Sequence, residues 1–96
     1  MEQLLDQTIE LQPGETTTQM MFYTSNALIW GSIVHHESIL ASRILTGVTI
    51  PEYVTIYNAN IMYVQLNFMG KPLQRKEVFL PAAQINAYHL TPPQVD

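Results

Sequence analysis

Short apolar stretches bounded by turn residues recur along most of this chain, and strand-like alternation outweighs any helical period. Residues 15–24 gather Thr16, Thr17, Thr18, Met20, Met21, Phe22 and Tyr23, side chains that suit a pleated surface, and Ser25-Asn26 follows as a turn. Residues 27–36 set Leu28, Trp30 and Val34 on one side and Ile29, Gly31 and Ile33 on the other. A strand apolar on both faces is covered twice or lies at an interface, and Gly31 within it points to a bend or a close backbone approach. Residues 53–57 place Val54 and Ile56 against Tyr53, Thr55 and Tyr57. With Asn58-Ala59-Asn60 read as a tight turn, residues 61–68 set Met62, Val64, Leu66 and Phe68 inward and Tyr63, Gln65 and Asn67 outward.

The remaining segments are shorter. Gln12-Pro13-Gly14 and residues 69–72 read as turns, residues 77–80 as an extended run, residues 81–84 as one tight helical turn, and residues 85–90 as a last strand. Residues 37–45 fit either about two helical turns stopping at Gly47 or an irregular loop. The sum predicts an all-β fold: a small antiparallel barrel of five to six strands over residues 15–90, with at most one short helix, an N-terminal arm over 1–14 and a C-terminal tail over 91–96. Lysines that would guard an open edge are scarce, so the sheet is expected to close on itself or to pair its edges with another chain.

Composition narrows the chemistry. Of the 96 residues 47% are hydrophobic and only 12% charged, enough for one core and with apolar surface left for a partner, self-association being the simplest form. A net charge of −4 disfavours a chain whose main work is neutralising phosphates. The absence of cysteine removes disulfides, thiol catalysis and thiolate metal sites. The first residues carry no export signal, and the apolar runs fall far short of the ~20 residues a membrane helix needs, so a cytoplasmic, non-membrane protein is expected.

Few residues can carry reactions. His35-His36-Glu37 is the one cluster of metal-ligand types, but neighbours on a strand point to opposite faces, and the second histidine of a metalloprotease helix is replaced by Leu40. A serine triad lacks its acid, because Asp6 and Asp96 both lie in the terminal segments. The four glycines form no phosphate loop. No catalytic, metal or cofactor site is therefore expected, and the chain is read as a non-enzyme. Arg43, a lone cation in an apolar segment, is expected to bridge carbonyls, pair with Glu37 or Glu52, or mark a partner contact. Lys71, Arg75 and Lys76 form the one basic cluster, a possible nucleic-acid contact but more simply a solvated turn. Tyr53, Tyr57 and Tyr63, with Tyr23 and Trp30, are the candidate protein interface, since tyrosine offers large contact area at small entropic cost.

The segment Glu77-Val78-Phe79-Leu80-Pro81-Ala82-Ala83-Gln84-Ile85-Asn86-Ala87-Tyr88 resembles the closing strand, short turn and final strand of Sm-like small β-barrels. Ile29-Trp30-Gly31-Ser32-Ile33 and residues 53–61 are similar to the strand pair around which that fold bends. The resemblance spans residues 16–90 and implies ring or edge-to-edge oligomers. Sm-like RNA binders carry an Arg-Gly or Lys-Gly pair in the closing turn; Pro81-Ala82 stands there, so RNA binding does not carry over. Ala41-Ser42-Arg43-Ile44-Leu45, between an early strand with a glycine and a strand ending in Asn-Ala, also resembles small uncharacterised bacterial domains. The reading is thus a noncatalytic module that homo-oligomerises through strand edges and aromatic faces. The alternatives are an Sm-like RNA-binding ring and a ligand-sensing module with its pocket between Trp30 and residues 37–45.

Overall fold

A computed structural model describes residues 8–46, 50–63 and 72–91. Five strands, β1 (Glu15–Tyr23), β2 (Ala27–His36), β3 (Tyr53–Tyr63), β4 (Leu73–Pro81) and β5 (Ala87–Leu90), form one antiparallel sheet in the order β4-β3-β2-β1-β5. The all-β class is as the sequence predicts, but the sheet does not close into a barrel. β4 and β5 are its two edges, joined by a single 3-10 turn at Ala82–Gln84, and no ladder connects them. No helix among the described residues is long and apolar enough to cross a membrane.

β1 enters from the turn at Gln12-Pro13-Gly14-Glu15, closed by the Glu15 N–H on the Gln12 carbonyl at 3.0 Å, with Gly14 at φ 85°. Proline followed by a residue in the left-handed region is the type II pattern, and Gly14 adopts it without steric cost. At the other end Thr24 holds the hairpin: its N–H donates to the Ala27 carbonyl (2.9 Å), and its Oγ1 accepts the Ala27 N–H (3.0 Å). The register then runs unbroken from Tyr23↔Leu28 to Glu15↔His36.

β3 corrects the sequence reading. Asn58-Ala59-Asn60 is no turn; the strand runs on through it, and the β2–β3 register skips one residue between Trp30↔Asn60 and Ser32↔Tyr57. Asn58, at φ 52°, is the extra residue of a β-bulge, a position that Asn tolerates because its short polar side chain suits the left-handed region. An inserted residue reverses the face on which later side chains emerge. Val54 and Ile56 are buried before the bulge and Ala59 and Ile61 after it, so Ile61 takes the core place predicted for Met62, which is exposed. Val64, Leu66 and Phe68 lie outside the described residues. A branched residue cannot relax at a positive φ, so Asn58→Val is expected to be about 1–2 kcal/mol less stable than Asn58→Gly in urea unfolding; equal midpoints would place the bulge elsewhere.

The core lies on one face. Met20, Phe22, Ile29, Ile33, Val54, Ile56, Ala59, Ile61 and Leu80 fill it, with Ile44, Leu45, Val78, Ile85 and Tyr88 packed around them. Residues 37–45 form turns and one 3-10 turn, Ala41–Arg43, rather than two helical turns, and they bring Ala41 and Ile44 under the sheet. Tyr88 ties that segment to β5 through its hydroxyl, which donates to the Ser42 carbonyl at 2.9 Å. The last two strands are also redrawn: β4 begins four residues before the predicted Glu77, and β5 begins at Ala87 rather than Ile85.

Candidate functional site

The peptide groups of the ladder show which backbone positions are left open. On the β1–β2 side, bonds from Thr24 N–H to Ala27 O and from Glu37 N–H to Gly14 O (2.8 Å) mark the hydrogen-bonded pairs. Pairs of this kind recur every second residue, so Leu28, Trp30, Ser32 and Val34 turn their N–H and C=O towards β3. The bond from Ala82 N–H to Glu52 O (2.8 Å) sets the phase of the β3–β4 ladder: Val78 and Leu80 face β3, and Glu77 and Phe79 direct their peptide groups outward. The bond from Thr91 N–H to Gln19 O (3.0 Å) does the same for β5, leaving Tyr88 and Leu90 outward. Among the described residues, both margins of the sheet therefore present strand edges that no other strand pairs.

Aromatic side chains flank the β4 edge. Tyr53 is 53% and Phe79 60% exposed, and the two rings meet edge to face at 5.8 Å between centroids. Tyr57 is half-buried on the same face as Tyr53. The three tyrosines expected on neighbouring strands all lie on β3, and the bulge puts Tyr63 on the opposite face from Tyr53 and Tyr57, exposed at the strand end opposite Ala27. Trp30 is half-buried and pairs with Met21. Tyr23 sits near the β5 edge, its hydroxyl 2.8 Å from His89 Nε2. The structure thus separates the five candidate interface residues into a β3–β4 group, Tyr53 and Tyr57, and positions elsewhere on the sheet. Among the described residues Phe79 is the exposed aromatic missing from that set, and its place opposite Thr55 on an edge strand is given by the pairing alone.

The histidines do not converge. His35 Nδ1 donates to the His36 carbonyl (2.9 Å), which leaves Nε2 to accept the Thr18 hydroxyl (2.7 Å). His36 Nδ1 instead accepts from Ser38, and His89 repeats the His35 pattern with Leu90 O and Tyr23. Among the described residues no group of three metal-ligating side chains forms. Arg43 and Arg75 are exposed; Arg75 donates to the neighbouring Gln74 carbonyl at 2.7 Å, Lys76 is exposed on β4, and Lys71 lies outside the described residues.

Beyond Ser32↔Tyr57 the β2–β3 pairing stops, although β2 continues to His36 and β3 begins at Tyr53. The diverging strand ends open a slot of about 380 Å³. Ile33, Val54 and Ile44 form its apolar floor, and Tyr53, Tyr57 and Glu15 stand on its walls. It takes Ile44 from residues 37–45, but Trp30, expected to be the opposite wall of a pocket there, does not line it.

Comparison with protein-family models, with curated proteins and with solved structures finds no match to this chain.

Proposed function

We propose that this protein is a noncatalytic assembly module that homo-oligomerises through the free edges of β4 and β5. The observation that carries the reading is the open five-stranded sheet, whose two margins expose unpaired peptide groups on a chain with only 12% charged residues. An edge of this kind is a template for another strand unless charge, proline or a covering element blocks it; on β4 the charges Arg75, Lys76 and Glu77 lie in its first part and Pro81 at its end, and the run Val78–Leu80 between them is uncharged. Phe79 and Tyr53 beside β4 supply the exposed aromatic area with which such a contact is sealed. The succession of β4, one 3-10 turn and β5 supports an Sm-like relationship and the cyclic assembly that goes with it.

The test is light scattering coupled to size exclusion, with absorbance at two wavelengths to detect nucleic acid. The expected result is a discrete multiple of the chain mass, free of nucleic acid. Glu77→Pro removes an outward N–H and no ladder bond, so it is expected to shift the particle to smaller mass while the fold persists. A monomer at every concentration overturns the reading, and a particle carrying salt-removable RNA favours the RNA-binding alternative.

A further inference from the structure

The slot between β2 and β3 has a chemistry of its own. It opens on the sheet face opposite the core and reaches through the gap between the strands to Ile33, Val54 and Ile44. Its volume, about 380 Å³, lies at the small end of ligand pockets. The ladder phase turns the peptide groups of Val34 towards β3 and those of Thr55 towards β2, across the gap and past the last pair.

Among the described residues Glu15 is the one charged residue on its walls. It is half-buried, its Oε1 accepts the Gln12 N–H at 2.8 Å, and it forms no ion pair among the described residues. The register fixes where the charge sits. Glu15 pairs with His36, and His36 stands at the end of β2 nearest the start of β3, so Glu15 and Tyr53 mark one end of the slot. Tyr57 marks the other, about 13 Å along the strand from Tyr53. The tyrosines therefore bracket an elongated site and do not cage a single centre.

An aliphatic floor, polar walls and, among the described residues, a carboxylate without an ion pair beside an aromatic ring suit a cation on an alkyl stem, such as a primary ammonium. We propose that the slot binds such a group, the lysine side chain of a peptide being the natural form. The stem lies against Ile33, Ile44 and Val54, and the ammonium sits between the Glu15 carboxylate and the Tyr53 ring. The carboxylate supplies charge and a hydrogen-bond acceptor, and the ring supplies a cation–π contact.

The experiment is an amide-resolved NMR titration of the full chain with N-α-acetyl-lysine N-methylamide, repeated with the same probe acetylated on its ε-nitrogen. The charged probe is expected to shift the amides of Val34, Thr55 and Tyr57, and the acetylated one to bind about tenfold more weakly or not at all. Glu15→Gln keeps an oxygen to accept the Gln12 N–H, so the turn persists while the affinity falls about tenfold. Tyr53→Leu, at an exposed position, weakens binding independently of that turn. Equal binding of the two probes, an unchanged affinity in Glu15→Gln, or the absence of shifts around the slot would overturn the proposal.

Discussion

Gly31→Ala is expected to lower stability by about 2–3 kcal/mol, or roughly 10–20 °C in Tm. At the bulge β3 folds against Gly31 so closely that a Cβ there would stand 2.7 Å from the Tyr57 carbonyl oxygen, 2.7 Å from Ile56 Cγ2 and 3.1 Å from Ala59 Cα. Two of these three atoms are backbone in a hydrogen-bonded sheet, and Ile56 is fully buried, so none can move aside without disturbing the ladder or the core. Gly14→Ala is the instructive comparison. Its Cβ would meet only the end of the exposed His36 side chain, at 3.0 Å, and its cost of about 1–2 kcal/mol comes from the positive φ. Urea unfolding of both variants ranks them. Were Gly31→Ala within about 0.5 kcal/mol of the wild type, the bulge and its close approach would be wrong.

Phe22→Ala is expected to cost more, about 3–5 kcal/mol. Phe22 is 0% exposed and sits on β1, between Ile29 of β2 and Tyr88 of β5, whose ring it meets at 6.1 Å with an interplanar angle of 26°. Truncation removes the buried aromatic contact that holds β5 onto the sheet and leaves its four residues with the β1 ladder and the Tyr88–Ser42 and Tyr23–His89 hydrogen bonds. Against the roughly 5–15 kcal/mol of a typical domain, such a loss leaves a marginal fold. Near-ultraviolet dichroism and the urea midpoint are the readouts, and Phe22→Leu is expected to recover most of the loss. A penalty under about 1 kcal/mol for Phe22→Ala would contradict the packing of β5 through this ring.

The first hairpin was legible because alternation, β-propensity and turn chemistry agree there: β2 runs over the predicted residues 27–36, and Gly31 makes the close approach its place in an apolar strand implies. β3 was misread for a local reason. Asn at a positive φ serves a reversing turn and a bulge equally well, and the choice is made by β2, which pairs with β3 on both sides of Asn58. That single residue moved the inward face from Met62 to Ile61. The start of β4, Leu73-Gln74-Arg75-Lys76, carries no apolar alternation because an edge strand buries little, so only its pairing with β3 reveals it. Closure of the sheet depends on whether two distant edges meet, which no period along the chain encodes. The slot arises from strand divergence: Tyr53 and Tyr57 were legible only as outward-facing interface residues, and of the pocket expected between Trp30 and residues 37–45 only Ile44 lines the slot.

Edge pairing is tested most directly by amide hydrogen exchange at Glu77 and Phe79, followed over a range of protein concentrations. Their N–H groups point away from β3, so in a free chain they exchange rapidly while those of Val78 and Leu80 are protected. Assembly through β4 predicts that Glu77 and Phe79 become protected as concentration rises, together with Tyr88 or Leu90 if β5 is the partner strand. Rapid exchange at all four positions in a particle larger than one chain would contradict assembly through these edges.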